Sequence, residues 1–256
     1  MITLTSAKGS PGVTTLCLAM ACASGRVLVE MDPAGGDLAL RAGVPQSPGL
    51  SELAVRVRRE RGTDVALEGF TQRLRSNAIV LPAPVGAAGV SAVLSGGELI
   101  LPIAEALLTS ATRVLIDAGR FGPHFASFES HEAVRIVVTR RDAASLGQTQ
   151  ALLRGLGDEH TRQRIGLALI DRGEFGAREV ARELGVPLLG VIPWHPQHAE
   201  RLASSASVQT PRSNRLVHAA AAIVSAADAL ADIHGRASAP HQNPLVAWLT
   251  RTEVSA

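Results

Sequence analysis

An apolar opening segment, Ile2-Thr3-Leu4-Thr5-Ser6, runs directly into Ala7-Lys8-Gly9-Ser10-Pro11-Gly12-Val13-Thr14-Thr15 and then into an apolar, helix-patterned stretch. A strand, a glycine-rich loop and a helix in that order place the helix's unpaired N–H groups beside a strand end. Those groups, with the positive end of the helix dipole, favour an anion. The loop also holds the only lysine: of 25 Lys and Arg residues, all but Lys8 are arginine. Lysine is a compact charge on a flexible stem, whereas arginine is a broad planar fork. A lysine kept beside Gly9 and Gly12 points to a tight anionic pocket, most simply a phosphate site.

The rest of the chain alternates strand-like and helical patterns. Strands are expected at Ile2–Ser6, Arg26–Met31, Ala78–Leu81, Arg113–Asp117, Val134–Thr139, Ile165–Ile170 and Pro187–Ile192. Helices are expected at Thr14–Ala23, Leu50–Arg61, Val65–Leu74, Ala87–Leu94, Leu99–Ser110, Ala143–Leu156, Ala177–Leu184 and Arg212–Ile233. This alternation predicts an α/β fold, a mostly parallel sheet with helices on both faces. Ligands of such sheets bind at the carboxyl ends of the strands. Residues 1–234 read as one domain, 235–244 as a Gly/Ser/Pro/His-containing linker and 245–256 as a short tail.

Composition narrows the choices. Hydrophobic residues make up 46% but aromatics only 3%, with no tyrosine, so Ala, Val, Leu and Ile must build the core. A formal net charge of +2 is too mild to demand a polyanionic partner. Cys17 and Cys22, five apart in the first helix, match no metal-binding spacing and read as small buried hydrophobes. His195 and His198 form an isolated H-x-x-H and read as surface or helix-start residues. No signal peptide is evident, and no uninterrupted apolar run reaches the roughly 18 residues of a membrane span. The expected compartment is the cytoplasm, with recruitment to the inner face of the membrane as an option.

The loop resembles the deviant Walker A motif of MinD/ParA P-loop ATPases, K-G-G-x-G-K-T-T. Lys8 falls on the early signature lysine, which in those dimers reaches the partner's nucleotide. Gly9, Gly12, Thr14 and Thr15 match, Ser10 replaces a glycine, and Pro11 removes a possible N–H donor. Val13 stands where the P-loop lysine would be. The resemblance spans about residues 1–234. It includes Val80-Leu81-Pro82-Ala83-Pro84 and Arg212-Ser213, which recur in the CpaE/TadZ branch that serves Tad-type pilus assembly. The resemblance implies a three-layer P-loop NTPase fold, ATP and Mg²⁺ as ligands, and a homodimer.

It also assigns roles at the strand ends. In Val27-Leu28-Val29-Glu30-Met31-Asp32, Asp32 takes the place of the family aspartate that orients the attacking water. In Arg113-Val114-Leu115-Ile116-Asp117, Asp117 matches the Walker B aspartate, holding Mg²⁺ together with the Thr14 hydroxyl. Asp171 stands where relatives carry an Asn that reads adenine. A carboxylate accepts from the adenine amino group or from guanine N–H groups, so GTP remains open. Pro193 closes a segment whose backbone flanks the base, with Trp194 beside it.

Val13 cannot offset phosphate charge, so weak binding and slow or absent hydrolysis are expected. The expected function is a nucleotide-dependent switch or scaffold that positions a pilus, secretion or other cell-envelope assembly. Alternatives are a DNA-partitioning or regulatory ATPase and a pseudo-ATPase that binds no nucleotide. A ligase or reductase on this fold lacks a supporting cysteine pattern or second substrate motif. DNA would be met by Arg56, Arg58, Arg59 and Arg61, with Arg73 and Arg75 closing the next helix. A membrane would be met by the tail, although its few cations argue against an anchor.

Overall fold

The computed structural model describes residues 1–9, 12–60, 65–94, 99–110, 112–122, 134–156, 162–204 and 214–237. Among these, one sheet is built from β1 (Ile2–Ser6), β2 (Val27–Glu30), β3 (Gln72–Arg73), β4 (Ile79–Leu81), β5 (Val114–Arg120), β6 (Val134–Arg140), β7 (Ile165–Asp171) and β8 (Leu188–Pro193). The spatial order is β3-β4-β2-β5-β1-β6-β7-β8. All neighbours are parallel except β3 with β4. From β1 the chain moves to one side of the sheet, then crosses to the other after β5. This reversal opens a crevice at the carboxyl ends of the central strands.

The helices are α1 (Val13–Ser24), α2 (Leu38–Ala42), α3 (Leu50–Glu60), α4 (Ala87–Val93), α5 (Ile100–Thr109), α6 (Ala143–Gly155), α7 (Ala177–Leu184), α8 (Pro196–Ala203) and α9 (Arg215–Ala237). Side chains alternate across each strand, so each contributes to two cores. On one face Leu4, Leu28, Leu115 and Ile136 pack against α1, α2, α8 and α9. On the other, Val27, Val29, Val114 and Ile116 meet α3, α4 and α5. Val137, Leu167 and Leu169 meet α6 and α7 on that second face. Strands covered on both sides explain the near-continuous apolar runs of the sequence. This is the expected three-layer α/β P-loop NTPase fold.

The helix expected over Val65–Leu74 does not form. A single 3-10 turn covers Leu67–Phe70, and the chain then extends as β3. Asn77, at φ 64°, turns it back so that Leu74 N–H donates to Ala78 O at 2.9 Å. Asn tolerates this left-handed geometry, and Gly69 weakens any competing helix. Arg73 and Arg75 therefore sit on an edge hairpin rather than at a helix end. Two short helices, α2 and α8, were not anticipated.

The terminal helix α9 is long and apolar enough to span a bilayer. Here it lies on α1 and β8 through Ala220, Ile223, Val224 and Ala227. Its Asp228 accepts two hydrogen bonds from the buried Arg26 guanidinium, at 2.6 and 2.7 Å. That ion pair ties α9 to the amino end of β2. The helix runs to Ala237, into the segment read as a linker; the tail 245–256 lies outside the described residues.

Candidate functional site

The crevice holds two cavities that meet over the start of α1. One, of about 500 Å³, is lined by Gly9, Gly12, Val13, Thr14, Thr15 and Asp32, together with Gly119 and Arg120. The other, of about 720 Å³, shares Gly12 and Thr15 and continues over Leu16, Ile170, Ile192, Pro193 and Trp194. The first is lined by four glycines and by Ser6, Thr14 and Thr15. The second is largely apolar. A phosphate chain in one and a base and sugar in the other match that division.

Gly12 makes the first cavity possible. Its φ of +103° turns the chain into α1, a conformation that a Cβ would strain. Thr14 lies in the first turn, and its side chain favours the charged form of the Asp117 carboxylate. Asp117 is buried on β5 and accepts from Gly119 N–H at 3.0 Å. Burial pushes its pKa up to about 6; Thr14 and the Gly119 N–H oppose the rise, and the charges of Asp32 and Asp37 add to it. Thr14 and Asp117 thus form a hard-oxygen donor pair in surroundings crowded with acids, which fits Mg²⁺.

Asp32 follows β2 and lines the cavity. Its Oδ1 accepts from Ala34 N–H at 2.8 Å, holding the loop in a tight turn. Its carboxyl lies directly over Gly119, where an added Cβ would come within 2.1 Å of the Asp32 carboxyl carbon. Gly119, at φ +57°, is therefore required both for its turn and for this close approach.

Sequence reasoning missed Glu30. It is buried at the end of β2, beside Asp117 in the register. Oε1 accepts from Asp37 and Leu38 N–H at 3.0 and 3.1 Å, and Oε2 from Ala83 N–H at 3.2 Å. One carboxylate thus fastens the start of α2 and the loop after β4 to the strand that delivers Asp32. Desolvation lifts its pKa to about 7 despite the three donors, and the Asp117 charge adds to the rise. Gly36 allows the fit, since a Cβ there would lie 2.7 Å from Oε2. The available signal was a lone acid within the apolar run that ends at Asp32.

The remaining expected site residues separate. Lys8 is exposed and lines a smaller neighbouring cavity with Gly9, Thr139, Arg140, Asp142 and Ser145. Val13 borders the phosphate-side cavity but is 5% exposed and packs into the core. Asp171 is on the rim, where its carboxylate pairs with Arg141, whose guanidinium also donates to Phe175 O. Pro193 lines the apolar cavity. Beside it the Trp194 ring is flanked by the Arg172 and Arg140 guanidiniums, at 4.6 and 5.7 Å from its centroid. Ser10 lies outside the described residues. His195 and His198 stack at 4.3 Å at the start of α8, and no cluster of metal-type side chains occurs among the described residues. Arg56, Arg58 and Arg59 are exposed on α3, with Arg56 ion-paired to Glu60 at 2.7 Å; Arg61 lies outside the described residues.

No protein-family model matches the chain, and no curated protein matches it. Solved structures do. A ParA family ATPase from Chlorobium tepidum superposes with a TM-score of 0.66 at 18% identity, over 86% of this chain and 97% of that one. The septum site-determining protein MinD from Pyrococcus horikoshii, complexed with Mg-ADP, gives 0.64 at 22% identity over 91% and 97%. The cell division ATPase MinD from Pyrococcus furiosus gives 0.62 at 21% identity over 90% and 100%. At these identities the likeness is one of fold.

Proposed function

We propose that the protein binds a nucleoside triphosphate with Mg²⁺ in the paired cavities and acts as a nucleotide-dependent dimer. In this reading it belongs to the MinD/ParA ATPases, nearest the CpaE/TadZ branch, and positions a pilus, secretion or other cell-envelope assembly from the cytoplasm. One observation carries the nucleotide reading. A cavity lined by glycines, Ser6, Thr14, Thr15 and Asp32 and a more apolar cavity share Gly12 and Thr15 at the start of α1.

The residues divide the work. N–H groups at the start of α1 receive phosphate oxygens, and the Thr15 hydroxyl borders both cavities. Thr14 and Asp117 would hold Mg²⁺, which offsets phosphate charge. Asp32 accepts from a water at the phosphate end. Pro193 and Trp194 flank the base. ATP is the favoured ligand; GTP stays open because Asp171 replaces the Asn that relatives carry.

Val13 sets the pace. A core-packed valine supplies no charge where charge develops on the phosphates, so turnover is slow or lost. Lys8 is exposed and lines the neighbouring cavity instead, which suits a role toward the partner copy's nucleotide. Melting the full chain with ATP·Mg²⁺ or GTP·Mg²⁺ tests the reading. Binding raises the melting temperature in proportion to ligand excess, and Asp117→Asn or Thr14→Val reduces that rise. A melting temperature indifferent to millimolar nucleotide would instead favour a scaffold that binds none.

A further inference from the structure

We infer that Arg120 is the cation that replaces the missing P-loop lysine, and that it acts on the terminal phosphate. The inference rests on the nucleotide reading above and assigns a residue that reading leaves out. Val13 is 5% exposed, embedded with Leu16 and Cys17, and offers the cavity only a hydrocarbon wall. The ammonium of Lys8 belongs to the adjoining cavity with Asp142. Among the described residues, the ionisable side chains lining the phosphate-side cavity are Asp32 and Arg120.

Arg120 is the last residue of β5, three positions beyond Asp117 and opposite Ser6 of β1 in the register. The chain turns at Gly119, φ +57°, just before it. Arg120 is exposed, and its guanidinium makes no hydrogen bond or ion pair with any described residue. A fork of donors lining an anion cavity, with no partner among the described residues, can engage an oxyanion in bidentate fashion.

The order of strands beneath the two cavities sets which phosphate it meets. Gly12 and Thr15 are shared with the base-side cavity, so the first phosphate lies there. Asp32 follows β2 and Gly119 and Arg120 belong to β5, on the side of β1 away from β7 and β8, whose Ile170, Ile192 and Pro193 line the base-side cavity. A ligand entering base first therefore brings its terminal phosphate to Arg120. A P-loop lysine would approach from α1; Arg120 approaches from β5.

Calorimetry on the full chain tests this, with a non-hydrolysable ATP analogue and ADP, each with Mg²⁺. Arg120→Ala and Arg120→Gln should weaken the triphosphate by about tenfold or more and ADP by less than about twofold. Arg120→Lys should recover part of the loss, since it restores charge without the fork. A side chain that is exposed and has no partner among the described residues should leave the melting temperature unchanged; if Ala perturbs it, the longer Gln variant carries the comparison. Unchanged triphosphate affinity in both variants, or equal loss for both nucleotides, would overturn the inference and leave the nucleotide reading standing. An unaltered chain that binds neither nucleotide would overturn both.

Discussion

Two buried carboxylates, Glu30 and Asp117, dominate the chemistry at the scale of single residues. Each is held above its ordinary pKa, chiefly by desolvation, to about 7 and about 6. The folded chain therefore binds more protons than the unfolded chain between about pH 4 and 7, and its stability falls as pH rises through that window. Glu30 alone contributes on the order of 3 kcal/mol. Asp142 has the opposite sign, because its hydrogen bond from Ser145 N–H lowers its pKa, but its contribution is lost only below the ordinary carboxylate range. Burial lowers the His198 pKa, which adds stability as pH rises and partly offsets the carboxylates. Urea unfolding in chelator should thus show a shallower loss between pH 5 and 7.5 for Glu30→Gln than for the unaltered chain. An identical slope in both would remove Glu30 from the account. Gly119→Ala is a second residue-scale test: a Cβ 2.1 Å from the Asp32 carboxyl carbon, at φ +57°, should cost about 1–3 kcal/mol in the same assay.

Among the elements, those with a clear apolar period were legible, while α2 and α8 were not. β1 falls where its apolar run predicts, and α7 at the bounds its pattern sets. Both repeat one period over enough residues to leave no rival. α2 has only five residues, too few for a period to register, and is held by Asp37 N–H and Leu38 N–H on Glu30. Val65–Leu74 carries a helical pattern, yet Gly69 and the left-handed Asn77 favour an edge hairpin. Two changes probe the elements. Asp142→Ala removes the cap that accepts from Ser145 N–H at 2.8 Å and should cost about 1 kcal/mol in urea unfolding. Asp228→Ala leaves the buried Arg26 guanidinium without its principal partner and should cost about 3 kcal/mol, whereas Arg26→Met should cost less. Equal losses for those two variants would mean that the pair matters only for packing.

For the molecule as a whole, the fold and the glycine turn into α1 could be read from sequence because local chemistry fixes them. Strand, glycines, threonines and helix follow one another within 24 residues. Glu30 and Arg120 were invisible because their roles depend on tertiary contact. Nothing local says that the strand expected to stop at Asp117 continues to Arg120, or that its end meets the loop after β1. Asp171 and Lys8 likewise have neighbours that sequence position did not reveal, Arg141 for the one and the cavity with Asp142 for the other. The central claim is that the crevice binds a nucleoside triphosphate and that binding drives dimerisation. The most direct measurement is calorimetric titration of ATP·Mg²⁺ into the purified full chain, with sedimentation of the same samples. Saturable binding with a shift from monomer to dimer is the predicted result. No heat and no change in mass at millimolar nucleotide, with the thermal unfolding transition intact, would contradict it.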